Sequence, residues 1–166
     1  MRTRDKPIVT VAFIIATIVF NALSLTAKAN GVPDEIRGYA EEIGSEYGIC
    51  PELLESIAYW ESRFDPTAVS KNGKYIGLMQ VNPKIHADRM KELGVDDLTD
   101  PKGCMRVAAD YLLELFEENE DVGIVLLQYS GSNMDRISQY ERTGNMTKYV
   151  DKVLRLSEVY ERLHSK

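Results

Sequence analysis

The chain has few of the residues that bind transition metals. Its 166 residues include two cysteines and two histidines. Neither a C-x-x-C nor an H-E-x-x-H motif occurs. Because zinc sites in proteins need three or four such ligands, usually at short spacings, these absences argue against a metal site. We therefore expect no metal and no cofactor.

Positive charge is also scarce, with 20 lysines and arginines against 26 acidic residues and a net charge of −6. Nucleic-acid binding depends on clustered cations, so this balance argues against a nucleic-acid partner. The chain also lacks internal repeats, low-complexity tracts and the alternating apolar runs of a sheet protein. Its hydrophobic content of 44% is typical of one compact globular domain.

A long apolar run occurs close to the N-terminus. Three basic residues precede the run from Ile8 to Phe20, and Ala27-Lys28-Ala29 follows it. This layout is typical of a signal peptide, so residues 1–29 are predicted to be cleaved and residues 30–166 to form the mature domain. The weaker apolar run continues to about residue 25, and an uncleaved membrane tether through residues 8–25 is the alternative.

Prolines, glycines and capping residues divide the mature part into helices. Pro33 suits the first turn of a helix that ends near Gly48, and Pro51 begins another that stops before Asp65-Pro66. The same signals predict further helices from Pro83 to about Gly94, Pro101 to about Asn119, Asp121 to about Tyr129, Asn133 to Tyr140 and Thr147 to Leu163. Asn72-Gly73 predicts a tight turn. The fold class is therefore all-α, with at most a small irregular β hairpin.

Glu61 lies on the apolar side of the second predicted helix. On a helical wheel it falls between Ile57 and Leu54. The opposite side, expected to face solvent, carries Glu52, Glu55, Ser56 and Arg63. A desolvated carboxyl has a raised pKa, which is the property of a general acid that works near neutral pH. The alternatives are a structural ion pair, or a helix end that emerges into solvent.

The two cysteines, Cys50 and Cys104, are candidates for a disulfide if the protein is exported to an oxidising compartment. A bridge would close a loop of about 55 residues and add on the order of 4 kcal/mol in the chain-entropy model. Two separate buried thiols are the alternative.

Several linked motifs follow Glu61 in the sequence. They are Glu61-Ser62-Arg63-Phe64-Asp65-Pro66, Ala68-Val69-Ser70, Gly77-Leu78-Met79-Gln80 and Asn82-Pro83. This series resembles the core signature of the soluble lytic transglycosylase family. Later segments, among them Asp100-Pro101, Gln128-Tyr129 and Lys148-Tyr149-Val150, are similar to later blocks of that family. The resemblance extends from about residue 33 to residue 163 and implies a lysozyme-like helical fold.

The resemblance also implies an activity on peptidoglycan glycan strands. Members of the family cleave the β-1,4 bond between N-acetylmuramic acid and N-acetylglucosamine and form a 1,6-anhydro product. By similarity, Glu61 would be the single general acid and base, and Tyr149 would hydrogen-bond its carboxyl group. Substrate contacts are implied for Ser62, Ser70, Met79, Gln80 and Tyr129. The expected location is the cell envelope or the exterior, where an envelope-spanning machine is a candidate partner.

Two segments depart from the family pattern. Tyr129-Ser130-Gly131-Ser132 stands where Tyr-Asn-Ala-Gly is usual, and Cys104-Met105 replaces the usual Asn-Ile. Two other functions stay open at this point. One is a goose-type lysozyme-like muramidase, which would use the same acid with water. The other is a non-catalytic peptidoglycan-binding or secretion-assembly module that retains the fold.

Overall fold

The structure is a computed structural model that describes residues 31–165, so the predicted signal peptide or anchor lies outside the described residues. Seven helices occupy most of this part of the chain. They are α1 (Asp34–Tyr47), α2 (Pro51–Ser62), α3 (Ala87–Leu93), α4 (Pro101–Glu118), α5 (Val122–Tyr129), α6 (Met134–Thr143) and α7 (Lys148–His164). Between residues 31 and 165 there is no strand beyond two isolated bridges, and the all-α prediction is confirmed.

Most helix ends follow from local side-chain and backbone chemistry. The N-cap side chains of four helices accept hydrogen bonds from backbone N–H groups of the first turn. These caps are Asp100, Asp121, Asn133 and Thr147. Gly48 ends α1 in the left-handed conformation, with φ 68°, which glycine adopts without steric cost. Within these described helices, no segment is both long enough and apolar enough to cross a membrane.

The helix predicted to begin at Pro83 begins four residues later, at Ala87. The backbone carbonyl of Asn82 accepts hydrogen bonds from the N–H groups of Ile85 and His86, and its side-chain oxygen accepts one from Lys84. An asparagine side chain that bonds the backbone two residues on stabilises a turn in competition with the helix. Residues 82–86 are therefore a series of turns that carries His86 to the start of α3.

Helix α2 is covered on more than one side, because it packs against both α1 and α7. Its predicted solvent-facing residues Glu55 and Ser56 are fully buried, with an exposed fraction of 0% for each. The prediction that they face solvent is wrong. A helical wheel shows which side of a helix is most apolar, but it does not show how many neighbours surround the helix.

The candidate disulfide is not formed in the structure, where both cysteines are free thiols, Cys50 exposed and Cys104 buried. Cys50 precedes α2, and its sulfur lies 3.0 Å from Oε2 of Glu52. Cys104 is buried in α4, where its sulfur accepts a hydrogen bond from the Met79 backbone N–H at 3.4 Å. The two thiols have different neighbours because the helices direct them to separate parts of the domain.

The segment between α2 and α3 forms an irregular β element. Isolated bridges join Val69 to Ile76 and Ile76 to Val81. Gly77, with φ 81°, passes so close to α4 and the loop before it that an added Cβ would lie 2.0 Å from the Leu98 carbonyl oxygen. Only glycine fits there, and this close approach brings Gln80 to the edge of the cleft described next.

Candidate active site

An open cleft of about 390 Å³ lies beside the C-terminal end of α2. Its walls come from α2, the irregular segment before α3, helix α4 and the end of α5. The residues predicted from sequence that line it are Glu61, Ser70, Gln80 and Tyr129. These side chains come from three separate chain segments, namely α2, the irregular segment before α3 and the end of α5.

Glu61 is the single carboxylic acid among the described residues that line this cleft. Burial raises the pKa of its carboxyl group, because desolvation disfavours the ionised form. The Tyr149 hydroxyl donates a hydrogen bond to Oε1 of Glu61 at 2.6 Å. This hydrogen bond lowers the pKa of Glu61. Burial is the larger effect, so Glu61 retains its proton to a higher pH than an exposed glutamate.

Tyr149 reaches Glu61 because α7 packs along α2. It lies in the first turn of α7, directly after the Thr147 cap and Lys148. Burial, followed by the nearby charge of Glu61, raises the pKa of its phenol far above the usual range. Tyr149 therefore stays a neutral hydrogen-bond donor toward the carboxyl group.

Tyr129 forms part of the opposite wall, at the end of α5. Its hydroxyl donates a hydrogen bond to the backbone carbonyl of Met79 at 2.9 Å, which fixes the ring. The next residues, Ser130 and Gly131, also line the cleft, so the departure from the family pattern falls on this wall. Because the Ser130 hydroxyl donates to the Leu127 carbonyl at 2.9 Å, it caps the end of α5.

The amide of Gln80 is oriented by two backbone carbonyls. Its Nε2 donates to the Ala68 oxygen at 3.1 Å and to the Gly77 oxygen at 3.0 Å. With both amide hydrogens engaged, the group left for a ligand is the amide oxygen. Ser70, also in the cleft wall, donates its hydroxyl hydrogen to Oδ1 of Asn72 at 2.9 Å.

Two residues predicted to contact substrate lie elsewhere. The Ser62 hydroxyl donates within the fold, to the backbone carbonyls of Ala58 at 3.1 Å and Leu78 at 2.8 Å. Met79 has an exposed fraction of 0% and belongs to the core. Neither side chain is among those that line the cleft, and their implied role as sugar contacts stays a prediction.

Sequence reasoning missed His86 and Tyr111, which both line the cleft. Their rings pack together, with centroids 4.7 Å apart. The available signal for Tyr111 was its position on the same face of α4 as Val107 and Ala108, which also line the cleft. His86 had no periodic signal, because turns rather than a helix position it.

The fold and the site together define an all-helical domain with one desolvated carboxyl group in an open cleft. The family model for the transglycosylase SLT domain matches residues 38–151, which is well over half of the chain. The chain belongs to the transglycosylase SLT domain family.

Curated relatives with similar sequences carry related names. A membrane-bound lytic murein transglycosylase F 1 from Alkalilimnicola ehrlichii is 40% identical over 81 residues, which is 49% of this chain and 15% of the relative. A membrane-bound lytic murein transglycosylase F from Maricaulis maris is 38% identical over 82 residues, or 49% of this chain and 16% of the relative. The aligned part is thus a small fraction of each relative's length.

Proposed function

We propose that this domain is a peptidoglycan lytic transglycosylase. It cleaves the β-1,4 bond between N-acetylmuramic acid and N-acetylglucosamine and leaves a 1,6-anhydro end, with Glu61 as the single general acid and base. The observation that carries the proposal is the desolvated Glu61 carboxyl group in an open cleft, with a hydrogen bond from Tyr149. The names of the relatives and the family membership support the same activity.

The reaction needs two proton transfers, and one carboxyl group can perform both. Protonated Glu61 donates its proton to the glycosidic oxygen as the bond from that oxygen to the muramyl C1 breaks. The resulting carboxylate then accepts the proton of the muramyl C6 hydroxyl, whose oxygen forms a new bond to C1. Glu61 is protonated again at the end, and no water is consumed.

The lining of the cleft favours this scheme over a two-carboxylate mechanism. Most glycosidases place a second carboxylate across the scissile bond, as nucleophile or as base for water. Asp65, the next carboxylate in sequence, is exposed, and its Oδ1 accepts hydrogen bonds from the Thr67 backbone and hydroxyl, both at 2.8 Å. It therefore stabilises the turn after α2.

The products formed from purified peptidoglycan test the proposal. Wild-type protein is expected to release muropeptides with 1,6-anhydro ends, identified by mass spectrometry from the loss of one water relative to reducing ends. Reducing ends would instead identify a muramidase. If nothing is released at any pH between 4.5 and 8, the alternative of a non-catalytic binding module is correct.

Tyr149→Phe is expected to lower kcat by about tenfold, because it removes a hydrogen bond to an ionisable group at the reacting centre. The Tyr149 hydroxyl stabilises the ionised form of Glu61, so its loss raises the pKa of Glu61 further. The reaction starts from protonated Glu61. The alkaline limb of the profile of kcat/KM against pH therefore moves to higher pH.

Tyr39→Phe is the matched control for this variant. The Tyr39 hydroxyl donates to Glu35 within α1 at 2.6 Å, the same distance as the Tyr149 bond, but it lies outside the cleft. Its removal is expected to leave the profile unchanged. A shift of the Tyr149→Phe limb to lower pH would contradict the assigned role.

We also propose that the protein is exported to the cell envelope. The sequence pattern of residues 1–29 and the words "membrane-bound" and "murein" in the names of the relatives support this location. N-terminal sequencing of the protein from cells distinguishes cleavage after Ala29 from a retained tether. A protein found intact in the cytoplasm would contradict export.

A further inference from the structure

His86 presents its imidazole ring to the cleft from an unusual position. It is the N-cap residue of α3, yet its side chain makes no capping hydrogen bond. Instead the ring packs on Tyr111 and lines the cleft. The side chain is therefore directed toward the space that a substrate would occupy.

Arg89 determines which nitrogen of His86 carries the proton. Nη1 of Arg89 lies 2.7 Å from Nδ1 of His86. A guanidinium group has donors and no acceptor, so Nδ1 must be the acceptor and holds no hydrogen. The neutral ring consequently carries its proton on Nε2.

Arg89 is in turn held by two carboxylates of α4. Its Nε lies 2.6 Å from Oδ2 of Asp110, and its Nη2 pairs with Glu114. Burial, then the charge of Arg89, lower the pKa of His86, while Glu114 has a smaller opposite effect. The imidazole therefore remains neutral at neutral pH, as the hydrogen bond to Nδ1 requires.

The Nε2–H group is left as a donor. Nε2 of His86 has no hydrogen-bond partner among residues 31–165. It is not buried either, so the N–H group is exposed to solvent. Next to the ring, the carboxylates of Asp110 and Glu114 outnumber the single positive charge of Arg89. This surplus of acidic groups disfavours a carboxylate or phosphate ligand and favours a neutral acceptor.

We propose that His86 donates its Nε2–H to an amide carbonyl oxygen of the bound substrate and so contributes to substrate specificity. The proposal rests on the proposed function, since peptidoglycan supplies such carbonyls in the acetamido groups of its sugars and in its stem peptides. Ile85, with 71% of its surface exposed, and the Tyr111 ring provide adjacent apolar surface for a methyl group. Arg89 acts as a positioning residue through the ring.

The state of the ring is tested by NMR of protein labelled with ¹⁵N at its two histidines, His86 and His164. The free protein is expected to show the Nε2–H tautomer for His86 and titration below the usual pKa of about 6.5. Arg89→Met is expected to raise that pKa, because a nearby cation is removed. An Nδ1–H tautomer in the free protein would overturn the proposal.

Binding is tested with the same label in the Glu61→Gln variant, which is expected to degrade the ligand far more slowly than wild type. Three probes are added in turn: peptide-free N-acetylated glycan strands, the same strands after de-N-acetylation, and the stem peptide alone. A shift of the Nε2 resonance with the first probe only identifies the acetamido carbonyl. A shift with the stem peptide only identifies the peptide carbonyl. No shift with any probe overturns the proposal.

Kinetics on N-acetylated strands with intact stem peptides separate a hydrogen bond from ring packing. His86→Phe keeps an aromatic ring on Tyr111 but removes the donor, and it is expected to raise KM about fivefold with kcat unchanged. His86→Gln restores a donor and is expected to stay within about twofold of wild type. Lys84→Ala, an exposed neighbour, is the control. Equal KM for His86→Phe and wild type would overturn the proposal.

These experiments can fail separately from the proposed function. If wild-type protein cleaves no glycan, the proposed activity is wrong, and the binding titration still decides whether His86 contacts an amide carbonyl. If cleavage occurs but His86→Phe lowers kcat and leaves KM unchanged, the ring has a structural role and the contact is rejected.

Discussion

Glu61→Gln is expected to lower the rate of glycan cleavage on the order of 10³-fold, within the range that a general acid contributes. Glutamine has nearly the same shape as protonated glutamic acid, but it has no proton of suitable acidity to give to a leaving oxygen. It also cannot accept the proton of the C6 hydroxyl. Both proton transfers of the proposed reaction are lost together, so the effect exceeds that of any other single substitution proposed for this domain.

The fold of this variant is expected to be intact. The Tyr149 hydroxyl can still donate to the side-chain oxygen of the glutamine, and a desolvated acid is replaced by a neutral group. Thermal unfolding should therefore show an unchanged or slightly higher Tm. Release of soluble muropeptides from purified sacculi measures the activity. Equal release by wild type and variant would reject Glu61 as the acid.

Glu55→Gln is expected to change the pH dependence of stability. Glu55 is fully buried in α2, and neither of its carboxyl oxygens has a hydrogen-bond partner among the described residues. Burial raises its pKa to about 7. Arg37 acts to lower the pKa, and Glu52 and Glu41 raise it. His164 contributes a ring nitrogen 3.9 Å from the carboxyl group.

The sign of the effect follows from proton binding. A carboxyl group whose pKa is raised by folding binds more protons in the folded state than in the unfolded one. Its favourable contribution is complete below about pH 4.5 and is lost as pH rises to about 7. The free energy of unfolding of wild type therefore falls by about 3 kcal/mol over this range through Glu55 alone, at about 1.4 kcal/mol for each pH unit.

Urea unfolding of wild type and Glu55→Gln at pH 5 and pH 8 measures this contribution. Glu55→Gln lacks the titrating carboxyl group and therefore the fall in the free energy of unfolding that Glu55 causes in wild type. The stability of the variant relative to wild type is expected to increase from pH 5 to pH 8. Glu92→Gln, at an exposed position of α3, is the control and should follow wild type, because Glu92 is not among the charges that shift the pKa of Glu55. Parallel pH dependence of Glu55→Gln and wild type would contradict the assignment.

Glu55→Gln also serves as a control for the first experiment. It is the same chemical change on the same helix, but Glu55 does not line the cleft. Its glycan cleavage is expected to match that of wild type at pH 5. The comparison of Glu61→Gln with Glu55→Gln thus distinguishes a carboxyl group desolvated at the cleft from one desolvated inside the core.

Capping signals in the sequence predicted the starts of helices correctly where the start depends only on neighbouring residues. Asp100 and Asp121 cap α4 and α5 as expected, because a cap depends on residues within one turn. The prediction failed for residues 82–86, where the Asn82 side chain stabilises a turn in place of a first helical turn. The same local signal, Asn followed by Pro, is compatible with both outcomes.

The sequence by itself determined the seven-helix pattern and the position of Glu61 on the apolar side of α2, because both depend on periodicity and capping within single elements. Tertiary structure decided the burial of Glu55, the separation of the two thiols and the contacts of Arg89 with Asp110 and Glu114. These features depend on which helices pack on which sides, and on loops whose paths are fixed by distant partners. Periodicity along one helix contains no information about those partners.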